Sequence, residues 1–94
     1  MNLKSFLFYQ EQFIRYLKLV RNLSGHTIRA YTGDLKQFAE IWQRLIDRTA
    51  RSVSLRNAID RHFVILFQQE TDKSSIARKI SCLRSFARFF EGRT

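Results

Sequence analysis

Residues 24–46 have the sequence SGHTIRAYTGDLKQFAEIWQRLI, the longest amphipathic stretch of the chain. Ser24 is a favourable helix N-cap, and apolar side chains then recur at three- and four-residue steps. Gly33 lies opposite that stripe and costs a helix about 1 kcal/mol relative to Ala, so it indicates a kink or a close approach by a bulky group. The stretch predicts a long α-helix whose inner face is Tyr31, Leu35, Phe38, Trp42, Leu45 and Ile46.

Three more segments show helical periodicity, over about 3–20, from Ser54 to about 69, and from Ser74 to Glu91–Gly92, while 47–53 form a polar connection. Their predicted inner faces are Phe6, Tyr9, Phe13, Leu17 and Val20, then Leu55, Ile59, Phe63 and Leu66, then Ile76, Ile80, Leu83, Ala87 and Phe90. The sequence has no Pro and only three Gly, too few turn residues for an all-β fold. Residues 1–94 therefore predict one all-α domain, a compact four-helix bundle.

The charge of the chain limits its partners. Seventeen Lys and Arg against eight Asp and Glu leave a net charge of +9, with a sequence pI of about 10.6. An excess of this size in a small domain indicates a polyanion, either nucleic acid or an anionic membrane surface. Twelve of the seventeen cations are Arg, whose planar guanidinium suits phosphate oxygens and guanine edges.

The remaining composition predicts a soluble, cytoplasmic protein that does not enter a membrane. The single cysteine, Cys82, cannot form a disulfide within the chain, as is typical of a reducing compartment. The longest apolar run, residues 63–67, is far too short to span a bilayer, and the N-terminal run is too short for a signal peptide.

The outer face of the last predicted helix is the first candidate site. Opposite its apolar stripe lie Ser74, Arg78, Ser81, Arg84, Ser85 and Arg88, with Lys79 at the border. A solvated helix face normally mixes charge signs, but no acid falls in this arc. Short hydroxyls beside long cations suit a helix in a DNA major groove, although a basic face can also serve solubility alone.

The start of the second helix is the other candidate. Ser24, His26, Thr27 and Arg29 cluster where unpaired backbone N–H groups attract a phosphate, and Lys36 lies on the same outer side. The alternative interpretation is an N-cap followed by ordinary surface residues.

The sequence contains no recognisable catalytic pattern, cofactor motif or metal-ligand spacing. His62 is expected to be a half-buried packing residue, and Cys82 an inert small apolar side chain. The tyrosines lie on apolar stripes. We therefore expect no catalysis by this chain itself, no cofactor and no small-molecule substrate.

Two segments resemble a known family. Residues 23–38, LSGHTIRAYTGDLKQF, are similar to the L-S-x-x-T-x-x-x-Y-x-x-D-L-x-x-F stretch of phage-integrase-type tyrosine recombinases. Residues 74–90, SSIARKISCLRSFARFF, resemble the closing S-x-x-x-x-R-x-x-S-x-L-R-S-F-x-x-F pattern of the same SAM-like core-binding domain at Arg78, Ser81, residues 83–86 and Phe89, while the first Ser of the pattern falls on Lys73. The Xer type of bacterial recombinase is the most similar.

The resemblance implies a helical module that forms half of a clamp around double-stranded DNA. Its second and fourth helices approach the major groove, while a C-terminal catalytic domain, absent from this chain, cuts and rejoins strands through a nucleophilic Tyr. The family works as a tetramer, so self-association or pairing with a paralogous recombinase is implied. The expected phosphate contacts are Arg29, Lys36, Arg78, Lys79, Arg84 and Arg88, with His26, Thr27, Ser74, Ser75 and Ser81 near the grooves.

Two alternatives remain open on the sequence. A helix-turn-helix regulator would also bind DNA, but it favours short helices and a tight turn before the recognition helix. A helical protein-interaction module is the other, since Val64, Ile65 and Phe89 lie outside the predicted inner faces and could form a cohesive surface.

Overall fold

A computed structural model describes residues 2–69 and 72–92, and within them every element is an α-helix. The helices are α1 (Leu3–Leu19), α2 (Gly25–Thr49), α3 (Leu55–Gln68) and α4 (Lys73–Glu91). Helix α2 packs against all three others, and α4 also packs against α1. The predicted all-α, four-helix fold is confirmed.

Side-chain caps set the helix starts. Asn2, Ser24 and Ser54 each accept a hydrogen bond from the backbone N–H three residues on, at 2.8, 3.2 and 3.2 Å. Helix α4 begins at Lys73, one residue before the start predicted near Ser74, and its N-cap is Asp72, which accepts from the Ser74 N–H at 2.9 Å. A carboxylate at this position satisfies an otherwise unpaired donor and interacts favourably with the helix dipole.

Helix α2 is longer than predicted and is not interrupted. It continues three residues beyond 46 and ends where Ala50 adopts a left-handed conformation with φ of 54°. The kink considered at Gly33 is absent, and a Cβ added there would meet nothing within 4 Å. No group of the described chain therefore requires glycine at this position.

The core is a cluster of aromatic rings around Phe6. Its ring centroid lies 5.3 Å from that of Phe38, 4.9 Å from Phe86 and 5.6 Å from Trp42, so α1, α2 and α4 meet at one point. Trp42 also donates its indole N–H to the carbonyl of Val53 at 2.9 Å, which ties the α2–α3 connection to the core. Tilted and edge-on pairs of this kind add about 0.5–1.5 kcal/mol each to the burial of the rings.

The buried face of α4 is wider than predicted and partly displaced. Ile76 and Leu83 are buried as predicted, but Ile80, Ala87 and Phe90 are only half-buried, and Cys82, Phe86 and Phe89 are buried as well. The reason is that α4 packs against both α1 and α2, which covers a wider arc than one stripe. Phe89, predicted to be part of a cohesive surface, packs 5.5 Å from Phe13 and 5.3 Å from Tyr16.

A similar displacement affects α3, where Leu66 is buried as predicted and Ala58 and His62 are also buried, while Leu55, Ile59 and Phe63 are half-buried. At the end of α1, Val20 was predicted to be internal but is 69% exposed, because the helix ends at Leu19.

Among the described residues, no helix is both long and apolar enough to cross a membrane.

His62 is a packing residue, as expected, but it is more completely buried than the sequence indicated. It is 1% exposed, its ring lies 5.3 Å from that of Phe38, and its Nδ1 has no hydrogen-bond partner in the described part of the chain. Burial, assisted by the nearby positive charge of Lys79, lowers the pKa of His62 from 6.5 to about 4. The folded chain therefore holds a neutral imidazole where the unfolded chain would be protonated.

This difference predicts an acid-sensitive fold. Between about pH 6.5 and pH 4 the unfolded chain binds a proton that the folded chain does not, so the free energy of unfolding decreases as the pH falls, by about 3 kcal/mol in total. Urea unfolding at several pH values measures this decrease. His62→Leu should flatten the pH dependence, and His26→Ala, which changes the exposed histidine, should not. An unchanged slope in His62→Leu would contradict the account.

Candidate nucleic-acid interface

Helices α2 and α4 are joined by an ion-pair cluster at their contact. The Asp34 carboxylate accepts from Arg78 through both Nε and Nη2, each at 2.9 Å, and from Lys79 Nζ at 2.7 Å. Lys79 Nζ also donates to Gln37 Oε1 at 2.8 Å. We call Asp34, Gln37, Arg78 and Lys79 the Asp34 cluster.

The cluster keeps Asp34 ionised although its side chain is 6% exposed. Burial opposes the charged form, but the hydrogen bonds from Arg78 and Lys79 outweigh it and lower the pKa of Asp34. Reciprocally, the hydrogen bond to Asp34 raises the pKa of Arg78. A buried carboxylate is stable only when its charge and its lone pairs are compensated in this way.

The cluster changes the interpretation of Lys79. The sequence placed it at the border of the basic face as a phosphate contact, whereas the structure buries it among Asp34, Gln37 and the core, with 9% of the residue exposed. Its ammonium donates to two oxygens of the protein itself. Lys79 therefore holds α4 against α2, and a direct DNA contact would require it to leave these partners.

The N-terminus of α4 is already capped by a carboxylate of the protein itself. Asp72 accepts from the Ser74 N–H and, at 2.7 Å, from the Ser75 hydroxyl. These hydrogen bonds, that from Ser75 first, lower the pKa of Asp72. Ser74 and Ser75 are thus engaged with a carboxylate at the helix end where the sequence placed them near a DNA groove.

Beyond that turn, α4 exposes the residues that we call the α4 basic face. Ser81, Arg84 and Arg88 are exposed and Ser85 is half-buried. In the described part of the chain neither Arg84 nor Arg88 forms an ion pair, whereas Arg78 is paired with Asp34. The α4 basic face consists of Arg78, Ser81, Arg84, Ser85 and Arg88.

The N-terminus of α2 has a different character from that of α4. Its cap is the neutral Ser24 hydroxyl, which accepts from the Thr27 N–H and donates to Thr27 Oγ1 at 3.1 Å. His26 and Arg29 are exposed beside it, and Lys36 is exposed two turns further on. A helix start with a neutral cap and adjacent cations can accept a phosphate on its unpaired N–H groups.

The structure brings Arg78 and Lys79 directly to Asp34 of α2, whereas Arg29 and Lys36 of α2 and Arg84 and Arg88 of α4 are exposed. Of the predicted set, His26, Arg29, Lys36, Ser74, Arg78, Ser81, Arg84 and Arg88 are exposed, Thr27 and Ser75 are half-buried, and Lys79 is buried.

Sequence reasoning missed Asp34, although a signal was available. Asp34 lies three residues after Tyr31 and four before Phe38, so it shares their side of α2. A carboxylate on a buried stripe requires a cation from another element. That requirement predicts a cation from another element beside Asp34, without identifying which one.

Chemically, the exposed cations of this surface can bind an anion. Within residues 2–69 and 72–92 no group of His, Cys, Asp and Glu could hold a metal ion. Burial raises the pKa of the Cys82 thiol to about 12, and its Sγ contacts the Tyr31 carbonyl at 3.8 Å, so the thiol stays protonated and inert as expected.

The fold and the surface define a small, basic, all-helical domain whose exposed cations lie on two helices. Residues 10–93 match the family model of the phage integrase N-terminal SAM-like domain. The match covers most of the chain, and the chain belongs to this family.

Curated relatives agree with this assignment. The chain is 38% identical over 78 residues to a tyrosine recombinase XerC of Halalkalibacterium halodurans, covering 82% of this chain and 25% of the relative. It is 36% identical over 80 residues to a tyrosine recombinase XerD of the same organism, and the match covers 84% of this chain and 26% of the relative. It is 42% identical over 85 residues to a tyrosine recombinase of Pseudothermotoga lettingae, and the match covers 86% of this chain and 28% of the relative.

The chain therefore spans about a quarter of the length of these relatives, as expected of the N-terminal domain of a tyrosine recombinase. No solved structure gives a significant match to it.

The different surroundings of two α4 cations predict different mutational costs. Lys79→Ala should lower the free energy of unfolding by about 2–3 kcal/mol, because Asp34 stays buried with only Arg78 to compensate it. Arg84→Ala, at an exposed and unpaired position, should change it by less than about 0.5 kcal/mol. Urea unfolding followed by circular dichroism measures both values. Equal effects of the two variants would contradict the buried role of Lys79.

Proposed function

We propose that this chain is the DNA-binding module of a site-specific tyrosine recombinase and that it clamps one recombination half-site. A separate catalytic domain of the whole protein would cut and rejoin the strands. Family membership and the relatives that are tyrosine recombinases support the class of reaction. The proposed partner is double-stranded DNA, and the proposed place of action is the cytoplasm.

The observation that carries the proposal is the α4 basic face. Arg84 and Arg88 are exposed and have no acidic partner in the described chain, with the small side chain of Ser81 beside them. Unpaired positive charges close together on one helix repel each other and raise the free energy of the unbound domain. Binding to a polyanion relieves that repulsion. Small residues between them let a helix approach a groove closely.

Helix α2 is proposed to supply the second set of contacts. A DNA phosphate at its neutral N-terminal cap would meet backbone N–H groups and the exposed Arg29, with Lys36 reaching a further phosphate. The N-terminus of α4 is less suitable, because Asp72 would repel a phosphate there. We therefore place the DNA along the later turns of α4 rather than at its start.

The helix-turn-helix alternative is less favoured by the packing. Such a motif packs its recognition helix against the helix before it, whereas α3 packs chiefly on α2 and only weakly on α4.

Salt dependence tests the proposal directly. If Arg29, Lys36, Arg78, Arg84 and Arg88 each neutralise one phosphate, the logarithm of the binding constant should fall against the logarithm of salt concentration with a slope of about −4 to −5. The Arg84→Ala, Arg88→Ala double variant should reduce that slope by about 2. Fluorescence anisotropy with a labelled duplex of about 20 base pairs measures these slopes.

Arg56→Ala is the matched control, because it removes an exposed cation from α3, outside the proposed interface. Its slope should equal that of the unmodified chain. A slope near −1 for the unmodified chain, or equal losses in the control and in the double variant, would overturn the assignment.

We also propose self-association, or pairing with a paralogous recombinase, on DNA. Large apolar side chains are exposed on two helices outside the basic face, namely Phe8 at 60% and Leu19 at 77% on α1, and Phe67 at 64% on α3. Exposed apolar groups of this size are typical of contact surfaces between proteins.

Two variants test this second proposal. Phe67→Ser should leave binding of a single half-site unchanged but weaken cooperative binding to two adjacent half-sites, as measured by sedimentation velocity of the protein–DNA complexes. Val20→Ser, at the exposed apolar residue directly after α1, tests whether the end of that helix contributes. Unchanged cooperativity in both variants, or its absence in the unmodified chain, would exclude these helices as the contact surface.

A further inference from the structure

The Asp34 cluster fixes one guanidinium at the edge of the proposed interface. Asp34 occupies the Nε and Nη2 edge of Arg78. Nη1 has no acceptor in the described part of the chain, and the Arg78 side chain is 42% exposed while that of Asp34 is 6% exposed. One edge of the guanidinium is thus buried against α2, and its other edge, Nη1 with the second N–H of Nη2, remains available.

We propose that Asp34 is a positioning residue that holds Arg78 with this second edge directed at a DNA phosphate. The inference rests on the proposed function and names the contact that couples the two helices. A guanidinium has five N–H donors in a rigid plane, so it can donate to a carboxylate from one edge and to a phosphate from the other. An ammonium group has three donors on one atom and cannot form two such paired contacts.

Positioning of this kind strengthens binding by lowering its entropic cost. A free Arg side chain loses rotamer freedom when it is immobilised at an interface. The two hydrogen bonds to Asp34 already immobilise Arg78 in the free domain. The second cation, Lys79, balances the buried carboxylate, so that Arg78 retains an uncompensated charge toward DNA.

Replacing Asp34 with a neutral residue distinguishes a positioning role from a simple electrostatic effect, because the two predict opposite changes in DNA affinity. Removal of any carboxylate near a DNA-binding surface should strengthen binding if only net charge matters. Asp34→Asn should instead weaken binding about five- to tenfold, because the amide cannot accept two charge-assisted hydrogen bonds from Arg78. The assay is fluorescence anisotropy with a labelled duplex of about 20 base pairs at fixed salt.

Asp72→Asn is the matched control. It removes the acid that caps α4, and Asn is an equally good N-cap, so the helix should persist. The Asp72→Asn variant should bind the duplex more tightly than the unmodified chain. Tighter binding in both Asp→Asn variants would overturn the positioning role of Asp34 and leave DNA binding by the domain intact.

A double-mutant cycle shows whether Asp34 acts through Arg78. In an Arg78→Ala background, Asp34→Asn should no longer weaken binding, since there is no guanidinium to orient. An equal loss in that background would show that Asp34 acts through the fold, and it would overturn the proposal.

A conservative variant keeps the test valid if Asp34→Asn does not fold. Arg78→Lys preserves the charge and the Asp34–Lys79 pair, yet it should weaken binding about as much as Arg78→Ala. Arg84→Lys should retain most of the affinity, because no second residue orients Arg84. Full affinity in Arg78→Lys would overturn the proposal, whereas a lack of salt-dependent binding by the unmodified chain would overturn the proposed function as well.

Discussion

The buried carboxylate of Asp34, held between Arg78 and Lys79, determines how α4 lies on α2. An ionised group at this depth is stable only with both cations in place, so the pairing specifies one register of the two helices. That register places Lys79 inside and turns Arg84 and Arg88 outward. The same ion pair therefore contributes to the fold and to the presentation of the proposed DNA contacts.

The aromatic core imposes the second constraint on α4. Phe86 lies 4.9 Å from Phe6, and Phe89 lies 5.5 Å from Phe13, so α1 covers one side of α4 while α2 covers another. Only the arc that carries Ser81, Arg84 and Arg88 is left to solvent. Packing on two sides and ion pairing with Asp34 together concentrate the basic residues of α4 on a single outer face.

Much of the fold could be predicted from the sequence because the signals are local. The Ser24 and Ser54 caps and the apolar periodicity gave four helices within a few residues of their observed bounds. The cap at Asp72 was missed because two serines follow it and also fit a helix start. The inner faces of α3 and α4 were only partly predicted. For α4 the reason is that a single-stripe model assumes one packing partner, whereas α4 packs against both α1 and α2.

The site was less predictable than the fold because it depends on contacts between distant residues. Exposure of Arg84 and Arg88 followed from helical geometry alone. The burial of Lys79 did not, since it requires Asp34, 45 residues earlier in the chain. The available clue was that Asp34 is a charged residue on the otherwise apolar buried stripe of α2. It predicts that a partner exists but does not identify which cation supplies it.

The central claim is that DNA meets the N-terminal part of α2 and the later turns of α4. Nuclear magnetic resonance titration of the isotope-labelled chain with a short duplex, at low and at moderate salt, tests it residue by residue. The account predicts shifts concentrated in residues 24–36 and 78–88, including the Arg78 Nε–H, that diminish as salt rises. Shifts confined to α3 or to the exposed face of α1, or no shifts at low salt, would contradict it.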